Sequence, residues 1–271
     1  MDVARFGDYE SPQYGTIKSS ENYERRFIMT FPNETLPKGR KQKTTALYDR
    51  FVNQGAVMGD SFGLENVLWF ANNKEDAHEE PTIKRSRSHD YVSKEVINVR
   101  ENVGLIEVAN FSKHEFKGPD ARKFLDHIMA GRLPKPGRIS LSPMLSYRGK
   151  LCGDLTVACL DENEFMVFGS GAAQEMHRRW FESHIDKFNL SYSNRSDEYH
   201  GLSIAGPNSR KVLEKIVRDD VSNEKFKFRD SRRMFVGGVP AIINRISFTG
   251  ELGYEIYVAP HYQLKLYEEL M

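Results

Sequence analysis

Phe116-Lys117-Gly118-Pro119-Asp120-Ala121-Arg122-Lys123-Phe124-Leu125 recurs 88 positions later as Ile204-Ala205-Gly206-Pro207-Asn208-Ser209-Arg210-Lys211-Val212-Leu213. In both copies an extended segment ends at glycine and a helix begins behind it. Proline is read at the first helical position, where its missing N–H costs nothing. A second match has an offset of 101: Ser146-Tyr147-Arg148-Gly149-Lys150-Leu151-Cys152-Gly153-Asp154-Leu155-Thr156-Val157 against Ser247-Phe248-Thr249-Gly250-Glu251-Leu252-Gly253-Tyr254-Glu255-Ile256-Tyr257-Val258. The order is the same in both halves. The pattern predicts an α+β fold, internally duplicated as strand–helix–hairpin units with antiparallel sheets facing one another, and it pairs Asp154 with Glu255. Two ordinary hairpins sharing turn chemistry would produce the second match without duplication.

Upstream of the first copy, Val92, Val96, Val99 and Val103 recur at helical spacing, Gly104 stops the helix, and Leu105 to Val108 reads as a strand. Between the copies, Leu151 to Leu160 reads as a hairpin, Asp161-Glu162-Asn163-Glu164 as a turn, Phe165 to Phe168 as a strand and Ala172 to Phe188 as a helix. The first ninety residues have another texture. A short helix is expected over Thr45 to Asn53, an aromatic segment ends in Leu68-Trp69-Phe70, and the polar run from Asn72 to Pro81 is the candidate linker. The chain therefore divides into an N-terminal segment, 1–90, and a domain, 91–271.

Composition bounds what such a protein does. Of 271 residues, 39 are Lys or Arg and 38 Asp or Glu, leaving a formal charge of +1 and no general field to hold nucleic acid. No apolar run is long enough to span a bilayer, and the opening Met-Asp-Val-Ala-Arg-Phe-Gly-Asp lacks the apolar core of a secretory leader, so a cytoplasmic or matrix-like compartment is expected. Cys152 and Cys159 are too few for a disulfide framework. Seven apart, they fall on opposite faces of a regular strand and read as core thiols. His177 and His184 lie two helical turns apart, too far to share a metal unaided, and no metal site is expected.

Chemistry is sparse outside the repeats. No nucleophile elbow, phosphate loop, dinucleotide fingerprint or zinc spacing occurs. Gly169-Ser170-Gly171 before a helix reads as a cap, with an anion site as the alternative, and Trp69, Phe70 and Trp180 read as packing residues. Period-two geometry puts Leu151, Leu155, Val157 and Cys159 on one face of their strand and Asp154 and Thr156 on the other. In the second copy Gly253, Glu255 and Tyr257 share a face. One acid from each half is then able to line a common cleft, although a solvated strand face or an ion pair with Arg148 or Arg245 would also accommodate either acid.

The segments Val103-Gly104-Leu105-Ile106-Glu107-Val108-Ala109-Asn110-Phe111, Gly118-Pro119-Asp120-Ala121, Gly149 to Val157, Ser203-Ile204-Ala205-Gly206-Pro207 and Arg245 to Glu255 occur here in one order. In that order they resemble the folate-binding module of the aminomethyltransferase (glycine-cleavage T-protein) family. The likeness is nearest to the C-terminal half of dimethylglycine and sarcosine dehydrogenases. Arg26-Phe27 and Gly63-Leu64-Glu65-Asn66-Val67-Leu68-Trp69-Phe70 resemble the stretch joining the flavin-dependent half of those enzymes to the folate half.

The resemblance implies that tetrahydrofolate captures a one-carbon unit from a small methylated amine, oxidised to an iminium by a flavin on a partner domain, giving 5,10-methylenetetrahydrofolate. It maps the catalytic aspartate onto Asp154 and the pterin-anchoring carboxylate onto Glu255. Phe248 falls where relatives carry a tyrosine beside the pterin, and Glu251 is a further candidate for binding. It also implies departures: Gly153 stands where T-proteins have a second acid, the flavin half is expected on an N-terminal partner domain, and the closing C-terminal barrel is expected to be missing. Two alternatives share the scaffold: a folate-dependent demethylase of a sulfonium or other onium substrate, and a non-catalytic folate-binding protein.

Overall fold

Both glycine turns form as type I turns. In the computed structural model, which describes residue 7, residues 9–32 and residues 34–271, Ala121 N–H donates to the Gly118 carbonyl at 3.0 Å and Ser209 N–H to that of Gly206 at 3.0 Å. Asp120 and Asn208 sit at φ −100°, ψ 7° and φ −95°, ψ 1°. Pro119 and Pro207 therefore hold the second turn position, two residues before their helices, instead of the first helical one; the locked φ of proline suits that corner equally. The opening residues read above for a leader lie, Gly7 excepted, outside the described residues.

Among the described residues the chain forms two units, 1–98 and 99–271. The first contains α1 (Pro12–Glu24), α2 (Tyr48–Asn53), a hairpin of β1 (Ala56–Ser61) and β2 (Leu64–Phe70), and most of α3 (Ser88–Glu101). Ser11 caps α1 by accepting from Tyr14 N–H at 3.1 Å. Val57, Trp69 and Ala71 form a small core, with Tyr91 stacked obliquely on Trp69 at 5.1 Å between ring centroids.

The second unit follows α3 with β3 (Gly104–Glu107), β4 (Phe111–Lys117), α4 (Ala121–Ile128), β5 (Arg138–Leu145), β6 (Leu151–Asp161) and β7 (Glu164–Ser170). It then repeats the series as α5 (Gln174–Glu182), β8 (Ser191–Asn194), β9 (His200–Ala205), α6 (Ser209–Ile216), β10 (Ser231–Val236), β11 (Val239–Asn244) and β12 (Gly253–Val258), closing with α7 (Gln263–Leu270). Residues 151–161 are thus one strand, with the reversal at Glu162-Asn163. The helix read over 172–188 is broken into α5 between two single 3₁₀ turns, Gly171–Ala173 and Ile185–Lys187.

Two five-stranded antiparallel sheets result, in the orders β5-β6-β7-β4-β8 and β10-β11-β12-β9-β3. Each repeat's short leading strand completes the sheet of the other repeat. The duplicated glycines sit at this exchange: a Cβ on Gly118 would meet Leu190 Cα at 2.7 Å, and one on Gly206 would meet the Asn102 carbonyl oxygen at 2.4 Å. Leu190 and Asn102 are themselves 88 positions apart.

The register corrects one sequence reading. Lys117 pairs with Glu164 across β4 and β7, and its repeat partner Ala205 pairs with Gly253 across β9 and β12. The counterpart of β12 is therefore β7, not β6, and Glu255 corresponds to Met166 and not to Asp154. The Gly-Asp-Leu and Gly-Tyr-Glu segments resemble each other through turn and alternation, not through equivalent places in the fold.

Each sheet is covered on both faces. Phe116, Phe124, Leu155, Val157, Phe165 and Phe181 pack between the first sheet and its helices. A second layer, including Ile139, Ala158, Met166 and Phe168 from one sheet and Ile242 and Tyr257 from the other, lies between the sheets. The sheets join at one corner, where Arg138 bridges to Asp230 and Ile139 N–H donates to the Arg229 carbonyl at 2.8 Å.

Candidate functional site

Strand alternation decides where the two acids go. Ala158 lies in the inter-sheet layer and Leu155 and Val157 on the helix side, so Asp154, in step with Ala158, faces the opposite sheet. Tyr257 lies in the same layer, and Glu255, two residues earlier, shares its face. Both carboxylates therefore face the space between the sheets, from strands that are not repeat counterparts. Their settings differ: Asp154 is exposed near the open end of β6, whereas Glu255 is only 9 % exposed.

A local irregularity sits beside Asp154. Met144 pairs with Gly153 and Leu145 with Leu151, leaving Cys152 as an extra residue in the ladder. The bulge turns Cys152 toward the cluster that buries Cys159, so the two free thiols share a face instead of taking opposite ones. Gly153 lies against His177, and a Cβ there would come within 2.7 Å of His177 Nε2. The imidazole thus fills the place an acidic side chain at 153 would need.

Around Glu255 the sequence signalled less. Tyr257 Oη donates to Glu255 Oε2 at 2.8 Å. Asn244 and Ser203 flank Glu255 in register on the neighbouring strands. Asn244 is fully buried: its carbonyl oxygen accepts from Ser231 Oγ at 2.8 Å, while its Nδ2 has no partner among the described residues. Across the layer stands Lys113, 0 % exposed, paired in register with Phe168, whose ring stacks on Tyr257 at 4.6 Å. Lys113 Nζ donates to the Ala109 carbonyl at 2.7 Å and lies 5.9 Å from the Tyr257 ring centroid. Burial pushes the Glu255 carboxyl above the usual carboxylate range, opposed by the Tyr257 hydrogen bond and the field of Lys113. The same burial, with Glu255 nearby, raises the Tyr257 phenol.

The other candidates lie on the β11–β12 loop. The Phe248 ring is 91 % exposed. Glu251 is half-buried, and the Thr249 hydroxyl holds its carboxyl below the usual range. Arg245, offered as a local partner for Glu255, instead donates to the Phe226 carbonyl and to Asn223. Gly171 fits tightly under the Asn110 carbonyl, and Ser170 makes no side-chain cap.

Sequence reasoning missed Lys113, Asn244 and Tyr257 as neighbours of Glu255; only the place of Tyr257 on its polar strand face signalled one of them. It also missed a buried polar cluster on the helix side. His114 Nδ1 lies 2.9 Å from Tyr192 Oη and His177 Nε2 lies 3.2 Å from the Cys152 carbonyl oxygen. Ser112 Oγ, His114 Nε2 and His177 Nδ1 are buried without partners among the described residues. Burial first, then the fields of His177 and Lys113, pushes His114 down to about 3. Among the described residues no group of three or more His, Cys, Asp or Glu side chains is placed to hold a metal ion, and no helix is long and apolar enough to cross a membrane.

Residues 47–271 match the family model described as the GCVT N-terminal domain, and residues 1–45 match that of the FAD dependent oxidoreductase central domain. Mitochondrial dimethylglycine dehydrogenase of Mus musculus is 33% identical over 275 residues, covering 100% of this chain and 31% of that protein. An aminomethyltransferase of Thermotoga sp. (strain RQ2) is 27% identical over 84% of this chain and 58% of its own length. The crystal structure of glycine cleavage system aminomethyltransferase T from Bartonella henselae superposes with a TM-score of 0.69 at 22% identity, covering 84% of this chain and 56% of that one. The chain thus spans about a third of the length of the dehydrogenase it matches.

Proposed function

Because the chain belongs to the GCVT aminomethyltransferase family, we propose that it is the tetrahydrofolate-binding, one-carbon-transfer part of a dimethylglycine/sarcosine dehydrogenase-like enzyme. The observation that carries this reading is the pairing of a buried acceptor with a buried orphan donor: the Glu255 carboxylate beside Asn244 Nδ2 on adjacent strands. A pterin edge presents a ring N–H and an exocyclic amine next to a carbonyl oxygen. A carboxylate accepting the first two and an amide donating to the third complement it, each charged hydrogen bond contributing about 1.5–3 kcal/mol. Tyr257 fixes the carboxylate's rotamer.

Bound tetrahydrofolate supplies the nucleophilic nitrogen that accepts the one-carbon unit, which leaves as 5,10-methylenetetrahydrofolate. Asp154, exposed on the face turned toward the opposite sheet, is suited to place negative charge beside a cationic iminium and to take up the proton released from the folate nitrogen. Phe248 and Glu251, on one loop, would border the bound pterin, the exposed ring closing over it. The match of residues 1–45 to a flavin oxidoreductase domain supports an iminium delivered by a flavin-bearing partner region, in preference to direct demethylation of an onium substrate or to binding alone.

Titration calorimetry with tetrahydrofolate tests the reading. Glu255→Gln is expected to weaken binding by about 1–3 kcal/mol. Asp154→Asn is expected to leave affinity within about twofold while lowering turnover of the full-length enzyme at least 100-fold, the usual reach of a general base. Equal affinity for the wild type and Glu255→Gln removes the pterin assignment.

A further inference from the structure

A lysine wholly excluded from water needs a reason, since an ammonium loses several kcal/mol of hydration on burial. Lys113 is given carbonyl oxygens, Ala109 at 2.7 Å and Ser196 at 3.4 Å, which solvate the head group without neutralising it. Its strand neighbour Ser112 or a leucine would fill β4 at no such cost. What the position offers is its outlook: Lys113 projects from the first sheet onto the face of Tyr257, whose hydroxyl is bonded to Glu255.

Resting on the folate reading, we infer that Lys113 is a positioning residue of the pterin site: its buried ammonium is the counter-charge, delivered from the opposite sheet, that keeps Glu255 a carboxylate able to accept donors. The surroundings of Glu255 leave that task to Lys113. On its own strand stands Tyr257, a neutral phenol; on β11 and β9 stand Asn244 and Ser203, which carry no charge. From β7 come Phe168 and Met166, both apolar. From β4 comes Lys113, and its field acts on Glu255 against burial. Glu115 and Lys117, further along β4, are engaged with each other and with Arg195 and Glu164, while Arg233 pairs with Glu164. A low-dielectric layer carries the field of Lys113 further than water would, so one ammonium suffices.

The direct test follows the Glu255 carboxyl itself by carbon-13 NMR titration of the chain without ligand. Lys113→Met is expected to move the Glu255 midpoint up by at least about one pH unit, as removal of a nearby opposite charge does. Coincident midpoints in a folded variant overturn the inference. Should Lys113→Met fail to fold, the reciprocal measurement decides: coupling is mutual, so Glu255→Gln, which keeps shape, must lower the midpoint of the Lys113 ammonium followed by nitrogen-15 NMR, and an unchanged midpoint refutes it. Neither readout needs folate, so failure to bind tetrahydrofolate removes the functional reading and leaves the electrostatic one to stand or fall alone. Where folate binds, Lys113→Met weakens it about tenfold at pH 7, the equivalent of one pH unit of Glu255 titration. It has no effect in the Glu255→Gln background; an equal loss in both backgrounds marks a merely structural lysine.

Discussion

His114 shows what burial does to a single titratable side chain. Its ring lies among Phe181, Tyr192 and His177, and its proton affinity is pushed down to about 3. A depressed folded-state value makes the native state the weaker proton binder. Stability from this group is therefore complete above the unfolded value near 6.5 and is lost as pH falls toward 3, at roughly 1.4 kcal/mol per pH unit. His177, also depressed by burial, adds in the same direction. The expected outcome for His114→Gln is a loss of about 1–3 kcal/mol at pH 7, where a buried bond to Tyr192 is broken, and a gap to the wild type that narrows as pH drops to 4. Urea unfolding at pH 7, 5 and 4 measures it, and a gap that is constant or widens contradicts the assignment. None of this was legible in the sequence. His114 and His177 are 63 positions apart, and the helical pairing of His177 with His184 drew attention away from the contact across the sheet.

The strand–turn–helix element was legible because its determinants are contiguous. Glycine with φ of 136° at 118 and 126° at 206, proline at the turn corner and an apolar face on the following helix are all written within ten residues. What the pattern could not reveal is why the glycines are strict. Backbone of the exchanged leading segments comes within 2.7 Å and 2.4 Å of where a Cβ would stand, so alanine at either site meets both strain and collision. Gly118→Ala and Gly206→Ala are each expected to cost about 2–4 kcal/mol, beyond the conformational penalty alone. Gly149→Ala is the control: its φ of 69° is also left-handed, yet nothing lies within 4 Å of its Cβ, and about 1 kcal/mol is expected. Chemical denaturation of the three variants makes the comparison, and equal losses at all three sites would show that the exchange contact carries no weight. The bulge at Cys152 was likewise invisible, because an extra residue in a ladder is defined by its partner strand and not by its own sequence.

The division into units 1–98 and 99–271 has a consequence for the chain in full. Each has a core of its own, around Trp69 in the first and around the paired sheets in the second, and every candidate site residue lies in the second. A chain of residues 88–271, which preserves α3 whole, is expected to unfold cooperatively and to bind tetrahydrofolate within about threefold of the 271-residue chain, a difference below 1 kcal/mol. Circular dichroism melts and calorimetry check it, and a molten chain or a hundredfold loss would tie the site to the first unit. The duplication, the element types, the α+β class and the family were all determined by the sequence, since they rest on local turns, two-residue alternation and ordered motifs that contiguous residues carry. The tertiary structure alone decided that β12 answers to β7, that the repeats exchange their leading strands, and that Lys113 comes to stand across from Glu255, 142 positions away. Those facts belong to strand pairing and sheet-on-sheet packing, where free energy depends on which distant surfaces meet, and a linear order of residues does not record that choice.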